Sequence, residues 1–551
     1  MVRSLGRQRR PLPTLTEEES AMPRSRPTLR SWPAALLVLL LAACGGGGSS
    51  SSPPPPPVQE TPIPGDQSVA GLADTAYTDA TVYSSAPAAS IAHADEGKAV
   101  AHRQITVQGA SLQYTATTGH LAILDGNGQA KASFFYVAYT LDGADPATRP
   151  VTFFYNGGPG SATIWLHLGS FGPRRLVTGD PATTAATPFP LVVNDETLLP
   201  SSDLVFVDAI GTGYSEAVAP HNNQEFWGVD VDAAAFRDFV QRWVSVNARS
   251  ASPKFLFGES YGTTRSAVLA ELLEAAGVHL KGVVLQSSVL DYNVNCGVIG
   301  QGDCATYLPS YAATGAYFQR TTPVPQDLWS FLDQVRSFTL NGYEPALQAY
   351  LQQNTAPSAS LLSQLSADTG ISTAVWQQHF NLDPDTFREQ LIPGSLLGRY
   401  DARVSAPVGS ALASEGDPSS TFMDAQFALA IHTYLDRSLQ YHNASTYVPL
   451  GNAIETWNFS HDNRSLPDVV PDLATALTLN PQLKVFSANG VHDLATPFFQ
   501  TEQDLARLGS TAPVQLTFYE GGHMTYLDDR SRPKELADLK AFYQQAVGGA
   551  R

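Results

Sequence analysis

Basic residues are few in this chain: 33 Lys and Arg stand against 51 Asp and Glu, a formal net charge of −18. Residues 1–44 hold seven Arg and three Glu, so everything after them carries about −22. Phosphate backbones need clustered Lys and Arg, so nucleic acid is excluded as a partner. Cysteine is scarcer still, with three in 551 residues, at 44, 296 and 304. No neighbouring His or Cys completes a ligand set around them, and no metal site is expected. There is no internal repeat and no Walker-type loop, and no G-x-G-x-x-G follows a strand, so no cofactor is expected. The apolar run Ala34–Leu41 is too short to span a bilayer comfortably. What remains is 43% hydrophobic and 10% aromatic residues, enough to bury a large globular core.

That short apolar run has a context. In "MPRSRPTLRSWPAALLVLLLAAC", Met22 to Cys44, three Arg precede it and small residues follow it. This is the layout of an export signal, with Met22 a better start than Met1. "LAAC" resembles a bacterial lipoprotein box, which implies cleavage before Cys44 and acylation of its thiol. An ordinary secretory signal with an incidental Cys is the alternative. The low-complexity stretch 45–65, "GGGGSSSSPPPPP" at its core, suits a tether holding a soluble domain off a membrane. Gly45 after the Cys favours the outer membrane, so the expected location is the bacterial periplasm or outer membrane. In an exported chain Cys296 and Cys304, close together in "NCGVIGQGDC", are expected to form a local disulfide.

Residues 66–103 are weakly patterned. From Gln104, β-rich runs separated by Gly turns suggest antiparallel strands. Buried strands then alternate with helical patterns, as in "PVTFFYNGGPG", "DLVFVDAIG", "VDAAAFRDFVQRWVSV" and "PKFLFGES". This predicts an α/β fold with a mostly parallel central sheet over 104–295. The alternation lapses into helical patterns over 296–447 and returns over 448–551. The middle segment is expected to be a helical insertion in one split domain.

"KFLFGESYGTTRS" places Ser260 between Gly258 and Gly262, where a strand must turn sharply into a helix. Such a turn lifts a serine hydroxyl above the sheet for nucleophilic attack; a tight glycine turn without chemistry would look similar. A serine nucleophile needs an imidazole to take its proton and a carboxylate to orient that imidazole. In the α/β-hydrolase order, Ser then acid then His, Asp493 follows the strand "LKVFSANG" and His523 follows "VQLTFYEGG". Both fall on the carboxyl-end side of a parallel sheet, where Ser260 also lies. Asp528 and Asp529 break the order, and His492 precedes the acid it adjoins. An oxyanion needs backbone N–H donors: Tyr261, opening a helix, supplies one, and the turn "YNGGPGSA" suits the second.

"NGGPGS" at 156–161, "GTGYS" at 211–215, "GESYG" at 258–262, then Asp493 and His523, together resemble the serine carboxypeptidases, secreted α/β-hydrolases with a helical insertion. The resemblance covers roughly Gln104 to the C-terminus. It implies an oxyanion hole from the N–H groups of Gly158 and Tyr261. It also implies that Asn156, Gly157 and Glu259 grip the C-terminal carboxylate of a peptide, Glu259 working as the neutral acid. One departure stands out: Ser170 in "LGSFGP" occupies the place of the family's second glutamate. The expected activity is C-terminal peptide hydrolysis through an acyl-enzyme. An esterase or acyltransferase on small acyl substrates is the alternative, and a non-catalytic surface lipoprotein a third reading that an intact triad opposes.

Overall fold

The computed structural model describes residues 67–548, apart from 182–186, 300–301 and 422. The export signal, Met22, Cys44 and the 45–65 tether lie outside the described residues. No helix among those described is long and apolar enough to cross a membrane.

The core is one eleven-stranded sheet. Its strands are β1 (Gln67–Ser68), β2 (Lys98–Val107), β3 (Ala110–Leu124), β4 (Ala130–Leu141), β5 (Val151–Tyr155), β6 (Asp203–Val207), β7 (Glu216–Ala217), β8 (Lys254–Glu259), β9 (Leu280–Gln286), β10 (Lys484–Gly490) and β11 (Val514–Tyr519). Neighbours run β1-β2-β3-β4-β6-β5-β8-β9-β10-β11, with β7 against β4. From β6 to β11 every pairing is parallel, whereas β1 to β4 form an antiparallel wing. The chain therefore has the α/β-hydrolase fold, with a central parallel sheet covered by helices on both faces.

Period-two alternation explains the two covered faces. On β5, Val151, Phe153 and Tyr155 join Leu256, Val283 and Val485 in one core, under α2 (Val229–Val246) and α3 (Tyr261–Ala275). Phe154 turns the other way, joining Phe255, Phe257, Val284 and Phe486. That second core is closed by α1 (Ile164–Gly169), by α4 (Met423–Arg437) through Met423 and Phe427, and by Leu539 and Phe542 of the last helix, Arg532–Gly548. With both faces dry, the central strands read as continuous apolar runs.

One boundary and the content of one segment differ from the sequence reading. β2 starts at Lys98, not Gln104. Its inward positions are Ala99, Ala101 and Arg103, and neither alanine nor a charged residue advertises a strand. Arg103 is buried because Asp74 meets it at 2.7 Å. The segment 296–447 is mostly helical and has its own apolar core, including Tyr311, Trp376, Phe380 and Phe387. It also holds a small hairpin, Ser395–Leu397 with Ser405–Pro407, and a strand, Tyr441–Asn443, that pairs in parallel with Tyr77–Asp79. These three-residue strands are too short to show a periodicity. Cys296 and Cys304 are disulfide-bonded at the start of this segment, with Cα atoms 5.3 Å apart.

Candidate active site

The turn after β8 is forced by close packing. Ser260 sits at φ 58°, ψ −128°, a left-handed conformation unusual for a residue with a side chain. The residues two before and two after it must be glycines. A Cβ on Gly258 would lie 2.2 Å from the Gly262 carbonyl oxygen, and one on Gly262 would lie 2.9 Å from that of Tyr155. Gly157 is equally constrained, since a Cβ there would stand 2.4 Å from the Tyr261 nitrogen. The "NGGPG" loop after β5 and the turn after β8 are thus pressed together. Tyr261 opens α3, so its N–H has no intrahelical acceptor. Gly158, at φ +102°, lies on the facing loop.

Asp493 follows β10 and His523 follows β11. His523 Nδ1 and Asp493 Oδ2 are 2.7 Å apart, both side chains almost wholly buried. Asp493 Oδ1 accepts from the backbone N–H groups of Ala495 and Thr496 at 2.7 and 3.0 Å, and Oδ2 accepts from the Thr496 hydroxyl at 2.8 Å. The carboxylate is therefore fixed on both oxygens before it meets the ring. Burial opposes charging of His523, but the Asp493 carboxylate outweighs it and raises the pKa above the usual histidine value.

A cavity of about 340 Å³ brings most of the sequence candidates together: Asn156, Gly157, Gly158, Glu259, Ser260 and His523 all line it. Asp493 stands behind His523, and the Tyr261 side chain points away to pack on Trp457. Glu259 Oε1 accepts from Asn156 Nδ2 at 2.7 Å, and Asn156 Oδ1 accepts from Leu166 N at 3.0 Å. Among the described residues, neither Glu259 Oε2 nor the buried hydroxyl of Tyr526 has a hydrogen-bond partner of ordinary geometry. That hydroxyl nonetheless acts on the carboxyl as a hydrogen-bond donor outside ordinary hydrogen-bond geometry, which lowers the Glu259 pKa. Burial, opposed by His523 and Tyr526, pushes the Glu259 pKa up to about 7. Ser170 is fully buried, its hydroxyl donates to Leu166 O at 2.6 Å, and it does not line the cavity.

Several residues here escaped the sequence reading. Trp165 and Asp424 line the cavity, and Tyr526 backs Glu259. Arg265, fully buried, donates to the Asn156 carbonyl at 2.8 Å while paired with Asp232 at 2.6 Å, which pins the "NGGPG" loop to α3. Tyr526 lies in "GGHMTY" beside a candidate already chosen, yet nothing in the spacing marks it. Asp424 comes from the insertion, whose position over the sheet no local pattern reveals.

A parallel sheet whose strand ends carry a strained serine turn, an acid and a histidine defines an α/β-hydrolase. The model of the family described as serine carboxypeptidase matches residues 108–520 of this chain. The chain belongs to the serine carboxypeptidase family. Ser260 and Asp493 fall inside the matched span and His523 just beyond it. Among curated proteins, serine carboxypeptidase-like 33 of Arabidopsis thaliana is 23% identical over 175 residues, which cover 30% of this chain and 35% of that protein. The match thus spans about a third of the relative's length. Solved structures with a similar trace include a proline iminopeptidase of Mycobacterium smegmatis (14% identity, TM-score 0.33, 79% of this chain and 100% of that one). Another is a carboxyl esterase of Bacillus coagulans (12% identity, TM-score 0.33, 78% and 99%).

Proposed function

We propose that this serine hydrolase is a carboxypeptidase that releases C-terminal residues from peptides. The observation that carries the reading is the Asn156–Glu259 pair in the cavity lined by Ser260 and His523. An acid held neutral up to about pH 7 donates a hydrogen bond where an ionised one would repel a substrate carboxylate. In this mechanism Ser260 Oγ attacks the last peptide carbonyl while His523 Nε2 takes its proton. The N–H groups of Gly158 and Tyr261 hold the oxyanion. His523 then protonates the departing amine, the C–N bond breaks, and an acyl ester remains on Ser260. Water, deprotonated by His523, attacks the ester and frees the serine. Asp493 keeps the His523 tautomer correct throughout.

Export and lipid anchoring through Cys44 belong to the same proposal. They are supported by the "LAAC" box, the tether and the Cys296–Cys304 disulfide, which suits an oxidising compartment.

An esterase or acyltransferase is the second reading, and Ser170 favours it. With its hydroxyl committed to Leu166, no second acid stands at that place to share a proton with Glu259. A blocked dipeptide, its C-terminal amide and a simple ester of the same acyl group separate the two. A carboxypeptidase turns over the free acid in clear preference to the amide. An enzyme that hydrolyses only the ester is not one.

A further inference from the structure

The loop 398–404, between the two hairpin strands of the insertion, is hydrogen-bonded to both loops that carry the acid and the base. On either side of Asp493, Leu494 N donates to the Arg399 carbonyl at 3.0 Å and the His492 carbonyl accepts from Ala402 N at 3.1 Å. His523 N donates to the Tyr400 carbonyl at 2.6 Å. The approach demands glycine at 522, where a Cβ would stand 2.4 Å from that carbonyl oxygen and 2.6 Å from Asp401 Cβ. From the sheet, the His523 carbonyl accepts from the Ser287 hydroxyl at 2.5 Å and from Gln286 Nε2 at 3.3 Å. The His523 backbone is thus held by the end of β9 on one side and by the insertion on the other.

Arg403 ties the insertion loop to the histidine loop. Its side chain is buried, and its guanidinium grips Asp401 twice, Nε to Oδ1 at 3.0 Å and Nη2 to Oδ2 at 2.7 Å. Nη1 donates to the Glu520 carbonyl at 2.8 Å and to Asp528 Oδ2 at 2.5 Å. Glu520 and Asp528 flank His523 in the chain. Asp528 Oδ1 accepts from the N–H groups of Arg530 and Ser531 at 3.0 and 2.8 Å, which fixes the acceptor. Asp180, 3.6 Å from Nη1, and Arg530, which meets Asp180, complete the charges around the guanidinium. A planar fork with five N–H donors can make these contacts at once, and a lysine ammonium cannot. Arg403 does not line the Ser260 cavity, so any effect on the reaction passes through the loop it holds.

We propose that Arg403 is a positioning residue: by tying Glu520 and Asp528 to the insertion it holds the His523 ring where Nδ1 meets Asp493 and Nε2 can take the Ser260 proton. This rests on the Ser260–Asp493–His523 machinery and holds for a peptidase or an esterase alike. Without the tie, the bonds from β9 still hold the loop, so the ring shifts while the sheet stays intact. A shift of about 1 Å in the reacting groups costs on the order of 10²-fold.

The experiment follows fluorophosphonate labelling over time in full-length wild type, Arg403→Met and Arg403→Lys. The probe bonds to Ser260 Oγ, fluoride leaves and the serine proton passes to His523. The end point counts folded sites, and the rate per site reads how well His523 takes the proton. In Arg403→Met the rate per site is expected to fall roughly 10- to 100-fold. Arg403→Lys, which keeps the charge, should regain little of it. The pH profile of the rate supplies a sign. The groups acting on the His523 charge are Asp493 and Glu259, which raise its pKa, and Arg399, which lowers it. A displaced ring loses part of the hold of Asp493, so the acid limb should move to lower pH, whereas loss of a nearby cation alone would move it up. A rate per site equal to wild type in either variant, or an acid limb that stays or moves up, overturns the positioning role. Wild type that takes no label would instead remove the Ser260 machinery itself.

Discussion

Asn156 Nδ2 donates to Glu259 Oε1 at 2.7 Å, and among the described residues the other Glu259 oxygen has no partner of ordinary hydrogen-bond geometry. A buried carboxyl with one oxygen tied and one free has a single open direction for its proton. The pair lies at the strand end that carries Ser260, where the proposed function has it meet the carboxylate of a substrate. The family's arrangement adds a second acid at this point. Here the Tyr526 hydroxyl stands close to the carboxyl instead, and its influence on Glu259 is opposite in sign to that of a neighbouring acid.

Tyr526 lowers the Glu259 pKa, so Tyr526→Phe should raise it. Neutral Glu259 would then persist to higher pH. In profiles of kcat/KM against pH, the alkaline limb for free-acid peptides should move upward in the variant. The ester profile should not follow it. A downward shift of the acid limb would contradict this electrostatic role.

Ser260→Ala should abolish labelling by a fluorophosphonate probe and lower kcat roughly 10⁴-fold or more, and Asp493→Asn should lower kcat by a similar factor by turning the His523 tautomer. Circular dichroism should show both variants folded. Labelling that survives in the alanine variant would remove Ser260 as nucleophile.

Arg265→Leu leaves Asp232 buried without its cationic partner, and frees the Asn156 carbonyl. Breaking such a pair from one side costs about 3–5 kcal/mol. Urea unfolding should show a loss of that order, with activity reduced even where the variant is folded, because the "NGGPG" loop loses its anchor. An unchanged unfolding midpoint would mean the pair contributes nothing to the fold.

The wild-type chain expressed in a bacterium should sediment with membranes, and Cys44→Ala should block its processing or release it. Mature wild-type protein found wholly in the soluble fraction with a free N-terminus would refute lipidation.

Much of this architecture was legible because it rests on local chemistry. The dry strands around "TFFY", "FLFG" and "KVFSANG" are continuous apolar runs, and the turn at Ser260 requires glycines at 258 and 262 that a reader can see. Asp493 could be picked because it follows such a strand, and His523 because it follows the alternating, half-buried run "VQLTFY". The start of β2 was hidden by Ala99, Ala101 and Arg103, whose burial depends on a partner 29 residues away, Asp74. Asp424, Trp165 and Tyr526 were hidden for another reason. Their roles depend on how the insertion and the final loop settle over the sheet, and those contacts join positions hundreds of residues apart in chain. Ser170 was visible as a departure, but only packing shows that its hydroxyl is committed to Leu166.

The central claim is that Glu259, neutral, binds a substrate carboxylate. Its most direct test is kcat/KM against pH for a blocked dipeptide and for an ester of the same acyl group, in wild type and Glu259→Gln. Glu259 is protonated below about pH 7 and ionises above it. Activity on the free acid should therefore fall as pH rises through that value, by about tenfold per pH unit once the acid is mostly ionised, while the ester profile stays flatter. Glu259→Gln, which keeps a donor and cannot ionise, should abolish that fall. Superimposable acid and ester profiles in the wild type would contradict the account and leave an esterase.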